Sequence, residues 1–129
     1  MFKNGATESQ IIANLKGEFL EDARRRVDLL ISSRNLATKA GCGNAAYKAF
    51  KQEVHTLKGM GQSFGFGSVT MICRRLELYL IDASAQDFVA DVAIERFLSA
   101  LDGIVEAGEE PDDDTIDDIL DALPEPLTV

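Results

Sequence analysis

All three prolines of this 129-residue chain, Pro111, Pro124 and Pro126, lie beyond residue 110. Everything before them can run as helix without a ring interrupting the backbone ladder. Apolar residues recur there at helical period, and no stretch alternates with the two-residue period of a strand. The chain is therefore predicted to be all-α. The expected architecture is an antiparallel four-helix bundle with an additional N-terminal helical segment and an acidic C-terminal tail. Residues 1–108 are assigned to the bundle, and 109–129 to an acidic linker and a short amphipathic tail helix.

Residues 1–6 read as a frayed terminus, and Thr7 with Gln10 fits a capping box. Ile12, Leu15, Phe19, Ala23, Val27, Leu30 and Ile31 hold one helical stripe from residue 8 to about 38. That span is one long helix, or two in line with Gly17 as the break. The Arg24-Arg25-Arg26 run reads as a solvated face, with a partner-docking surface as the other reading. Gly41-Cys42-Gly43 ends the segment, and Asn44 can cap the next helix, about 45–64. Gly65 and Gly67 are expected to terminate it. Ser68 opens a third helix with Val69, Ile72, Cys73, Leu76 and Leu80 inward, and Arg74 and Arg75 reaching solvent. Ser84 with Asp87 caps the fourth, whose apolar side is Phe88, Val92, Ile94, Phe97, Leu98, Leu101, Ile104 and Val105. Ile116, Ile119, Leu120 and Leu123 suit one further short helix. It either packs on the bundle or frays, or else serves as a docking peptide or a lid over the histidine face. With four stripes of its own, the bundle is expected to stay folded when residues 109–129 are deleted.

The chemistry concentrates in the central helix, at the single histidine, His55. Phe50, Val54, Leu57, Gly61 and Phe64 form an apolar stripe. Lys51, His55, Lys58 and Gln62 form an adjacent one without an apolar member, which should face water. A helical glycine costs about 0.5–1 kcal/mol against alanine. At Gly59, one turn past His55, bare backbone would let a bulky group approach the imidazole. At Gly61, on the apolar stripe, close helix–helix approach explains the residue. Glu53 is the only acid in this helix, so no carboxylate base is expected beside His55 to activate water. A neutral imidazole nitrogen is a competent nucleophile near pH 7. Lys58 can bring an ammonium to a charged group at His55, Lys51 raises the local positive potential, and Gln62 can donate a hydrogen bond or orient a water.

The segment Val54-His55-Thr56-Leu57-Lys58-Gly59, followed by Gln62-Ser63-Phe64-Gly65, resembles the histidine-containing phosphotransfer (HPt) domain family. The resemblance covers about residues 7–107. Met60 and Gly61 depart from it, standing where the family more often has Ser or Ala. It implies a four-helix bundle whose exposed histidine carries a phosphoryl group to and from receiver-domain aspartates, or takes it from a histidine kinase. His55 would be the phosphoacceptor, aided by Lys58 and Gln62, with Lys51, Gly59, Lys48, Arg74 and Arg75 in the docking surface. The implied partners are response-regulator receivers and a (hybrid) histidine kinase. The implied state is a monomeric phosphocarrier rather than a stand-alone enzyme, binding no cofactor itself, with Mg2+ held by the receiver. The alternative is a non-phosphorylated helical adaptor for receiver or kinase domains. A dimeric phosphotransferase with a degenerate ATPase domain is disfavoured, because only about twenty residues follow the four helices.

Composition excludes several other classes. The net charge of −9 is uneven: ten of the 22 acids lie from Glu106 onward, where there is no Lys or Arg. The first 105 residues thus carry 12 acids against all 13 bases. That balance offers no sustained basic face for nucleic acid. Cys42 and Cys73 lack metal-ligand spacing, and without a second histidine a zinc site is not supported. Cys42 reads as a loop bystander and Cys73 as core. The glycines at 59, 61, 65 and 67 do not spell a dinucleotide fingerprint, and Asp112-x-Asp114 lacks the rest of a calcium loop. No signal-peptide or membrane-span pattern is present, so a cytoplasmic setting with free thiols is expected.

Overall fold

The four apolar stripes cover one another. The computed structural model describes residues 8–37, 43–81 and 92–124. Among these, the elements are α1 (Glu8–Ala37), α2 (Gly43–Ser63), α3 (Gly67–Leu80), α4 (Val92–Ala107) and α5 (Asp113–Ala122), with no strand. α1 packs on α2, α2 on α3, α3 on α4, and α4 back on α1, which closes a ring of four. Cross-helix partners run in opposite chain order. Arg24 meets Asp102 and Arg34 meets Glu95 between α1 and α4; Tyr47 meets Leu80 and His55 meets Glu77 between α2 and α3. This is the antiparallel four-helix bundle that the periodicity predicts.

The core is built from Phe19, Val27 and Leu30 of α1, Phe50, Val54 and Leu57 of α2, Ile72 and Leu76 of α3, and Ile94, Phe97 and Leu101 of α4. Burying each such side chain stabilises the fold by about 1.5–3 kcal/mol relative to exposure. Cys73 is fully buried among them, as expected.

α1 is one helix, continuous through Gly17, and the N-terminal segment is its own first turns. Ile12 and Leu15 do not join the core; they are 61% and 46% exposed. Phe19 stacks on Phe64, just past the end of α2, and a side chain at Gly108, just past the end of α4, would meet Leu20. Both flanking helices therefore stop at the level of Phe19 and Leu20, and Ile12 and Leu15 lie beyond their ends. Ile31 and Val92 are likewise exposed rather than inward. Thr7, Cys42, Ser84, Asp87 and Phe88, which carried cap, loop or core assignments, lie outside the described residues.

α2 begins at Gly43, so Asn44 sits within its first turn rather than capping it. It ends at Ser63, and Gly65 turns the chain with φ +83°, a conformation that side chains other than glycine's strain to adopt. Gly67, expected to help stop α2, is instead the first residue of α3. Phe64, assigned to the buried stripe, lies half-exposed in the turn, and Phe66 takes the core position, stacking on Phe19 at 4.9 Å.

Two of the three arginines read as a solvated face are straps between helices. Arg24 donates to Asp102 at 2.5 Å and to Glu106 at 2.6 Å on α4. Arg26 donates to Glu53 of α2 at 2.7 Å and to Asp22 at 3.0 Å. They flank Ala23 and Val27, so they leave α1 at the margins of its buried stripe, within reach of its neighbours. Arg25, on the outside, pairs with Asp22 of its own helix.

The residues beyond Gly108 hold the bundle at several points. Phe66, at the N-cap of α3, has no side chain to cap it. Glu110 fills that role from a distance, accepting from the Ser68 N–H at 2.9 Å and from its hydroxyl. Arg75 donates to the Leu120 carbonyl at 2.5 Å. Ile116 and Leu123 are buried. Asp112 caps α5 by accepting from the Thr115 N–H at 2.8 Å.

Candidate functional site

His55 projects from the outer face of α2 because Val54 and Leu57, on either side, are fully buried. Its side chain is 71% exposed. The structure places beside it a residue that sequence reasoning missed. Glu77 of α3 sets Oε2 3.2 Å from His55 Nδ1, while its Oε1 lies 2.6 Å from Lys58 Nζ. The expectation that no carboxylate stands near the imidazole is therefore wrong. It considered acids on α2 alone, and the one there, Glu53, is taken up by Arg26. The available signal was that Glu77 is the only acid in α3, at the edge of its apolar stripe.

The geometry assigns roles. A carboxylate can only accept, so an imidazole facing it through Nδ1 carries its proton there. In the neutral imidazole, Nε2 then keeps its lone pair. The Lys58–Glu77 contact is a close charge pair rather than an aligned hydrogen bond, since Oε1 is buried and has no hydrogen-bond partner despite the short distance. Both side chains are about one-third exposed, so the pair is partly screened.

The other proposed site residues divide. Gly59 is exposed, and a Cβ built on it would meet nothing within 4 Å, which leaves bare backbone open beside the imidazole. Lys48, Lys51, Gln52 and Thr56 share a shallow recess with His55. The Lys51 ammonium, however, sits 4.3 Å above the Tyr47 ring, held there by cation–π attraction. Gln62 is exposed two turns on, about 10 Å along the axis, and no contact joins it to His55 in this structure. Arg74 is exposed on α3. Arg75, assigned to docking and to solvent, is half-buried and committed to the Leu120 carbonyl. It leaves α3 on the side facing α5, away from His55.

Burial pushes the Cys73 thiol far above its ordinary range, with the nearby Glu77 charge adding to the effect. It is a protonated core residue and not a nucleophile. Among the described residues no group of His, Cys, Asp and Glu could hold a metal ion. No described helix is long and apolar enough to cross a membrane.

An exposed imidazole with one nitrogen facing a carboxylate, a lysine one turn away and open backbone beside it has the groups that covalent transfer of a small charged group requires. The chain matches the Hpt domain family over residues 14–123 and belongs to that family. Histidine phosphotransfer in phosphorelays is thus its general function. No curated protein and no solved structure gave a match.

Proposed function

We propose that this protein is a phosphocarrier whose acceptor is Nε2 of His55, taking a phosphoryl group from a receiver-domain aspartyl phosphate or a histidine kinase and passing it to a receiver. The observation that carries this reading is the Nδ1···Oε2 contact between His55 and Glu77. The Nε2 lone pair attacks phosphorus in line, and the N–P bond forms as the bond from phosphorus to the donor aspartate oxygen breaks. That bond's electron pair leaves on the aspartate carboxylate. The imidazole retains its Nδ1 proton and becomes a cation, which Glu77 faces and stabilises. Lys58 stands close enough to turn from Glu77 to the phosphoryl oxygens as their charge develops.

The chain is read as a carrier and not a stand-alone catalyst. It supplies the nucleophile and the charge around it, while the acyl phosphate and the Mg2+ that serves it belong to the receiver. Lys48, Lys51 and Gly59 flank the imidazole and suit the surface that a receiver would cover.

The test is phosphotransfer from a panel of phosphorylated receiver domains to the wild type and to His55→Gln. An acid-labile, base-stable label on the wild type alone is the expected result. Labelling of both would move the acceptor elsewhere. Binding of receivers without labelling of either would make the protein a docking adaptor.

A further inference from the structure

Glu77 serves His55 and Lys58 only while α2 and α3 keep their spacing and register. A one-residue slip moves a helix about 1.5 Å along its axis. That slip would take Oε2, now 3.2 Å from Nδ1, out of hydrogen-bond range. We propose that Gly61 and Thr70 form the spacer that sets this register, and that both are positioning residues for His55. The inference deepens the phosphocarrier reading and rests on it.

A Cβ built on Gly61 would lie 2.8 Å from the Phe66 carbonyl oxygen, 2.8 Å from Thr70 Oγ1 and 3.0 Å from the Thr70 nitrogen. Two of those three atoms are backbone, so no side-chain rotation relieves the crowding. Any side chain at 61 must push α3 away from α2. In the space so kept, the Thr70 hydroxyl donates to the Lys58 carbonyl at 2.7 Å, tying α3 to the turn of α2 that carries Lys58 and Gly59. Thr70 and Glu77 are seven residues apart, two turns on one face of α3. The tie at Thr70 and the reach of Glu77 are thus consecutive contacts along one helix–helix seam. Gly61 is itself buried, and its carbonyl accepts from the Phe66 N–H at 2.8 Å, which fixes the start of α3 at the same level.

The experiment uses the full chain with 15N-labelled histidine, comparing wild type, Thr70→Val, Thr70→Ser and Gly61→Ala. Thr70→Val keeps the branched shape and removes the hydroxyl, while Thr70→Ser keeps the hydroxyl. Imidazole 15N shifts report which nitrogen of His55 holds the proton, and circular dichroism reports folding. Phosphoramidate, a small phosphoryl donor, gives the phosphorylation rate without any partner. In wild type and Thr70→Ser the proton is expected on Nδ1. In Thr70→Val and Gly61→Ala it is expected to be shared between the nitrogens, with phosphorylation slowed about threefold or more and on the order of tenfold, respectively. Folded Thr70→Val and Gly61→Ala proteins with the wild-type proton position would overturn the inference. So would Thr70→Ser behaving like Thr70→Val. A wild type with its proton on Nδ1 that takes no phosphoryl group would count against the phosphocarrier reading alone, because the 15N comparison decides the spacer by itself.

Discussion

His55 on α2 and Glu77 on α3 are joined through Nδ1 and Oε2 at 3.2 Å. In the phosphocarrier reading, one carboxylate holds the proton on Nδ1 and so leaves Nε2 to act as the nucleophile. Glu77→Gln keeps the side-chain shape and removes the charge that faces the imidazolium. Phosphorylation of His55 is expected to slow about tenfold or more, in proportion to a lost charge-assisted hydrogen bond. The thermal unfolding midpoint should change little, since Glu77 is about one-third exposed. Timed labelling from one phosphorylated receiver, beside a melting curve, checks both halves.

Lys58→Ala removes the cation available to the transferring group and frees Glu77 from its second partner. Slower phosphotransfer with the fold intact is expected, with a loss of about tenfold. Lys58→Arg should recover part of the rate. An Ala variant as fast as wild type would remove Lys58 from the mechanism.

The residues after Gly108 are predicted to stabilise a bundle that can form without them. Glu110→Ala uncaps α3 and is expected to cost about 1 kcal/mol. Deleting residues 109–129 removes that cap, the carbonyl that Arg75 binds and the buried Ile116 and Leu123. Unfolding should stay cooperative, because the ring of four helices is complete, but at a midpoint clearly below that of Glu110→Ala. Thermal or urea melts of the three proteins give the order directly.

Acid stability should depend on Asp22. Burial works against its ionisation, but hydrogen bonds and charge from Arg26 and Arg25 outweigh it and hold the carboxyl below its ordinary 3.8. A folded-state value below the unfolded one means stability that is full above the unfolded value and lost as pH falls through the folded one. Asp22→Asn should therefore lower stability at neutral pH and lose less of it on acidification below about pH 4. Urea midpoints at pH 7 and pH 3 for both proteins measure the difference.

Much of the fold was legible because helical period and proline placement are local properties. The four stripes needed only a 3.6-residue count, and Val54, Leu57, Ile72 and Leu101 fell where that count put them. Errors arose where an answer depended on what lay opposite. Ile12 and Leu15 have the pattern of core residues, yet the neighbouring helices end before reaching them. Arg24 and Arg26 look like solvent residues until Asp102 and Glu53 are brought within reach. Phe64 was placed on the buried stripe, but the turn at Gly65 decides which ring points inward and gives the core position to Phe66.

The sequence by itself determined that the chain is helical, that His55 faces outward, and that Lys58 and Gly59 share its side of the helix. Each follows from spacing within one helix, which the backbone geometry fixes. Only the tertiary structure decided which nitrogen of His55 faces a carboxylate. That depends on Glu77, 22 residues away and on another helix. Its position follows from the closeness of two backbones at Gly61 and Thr70, and no count along a single helix contains that distance.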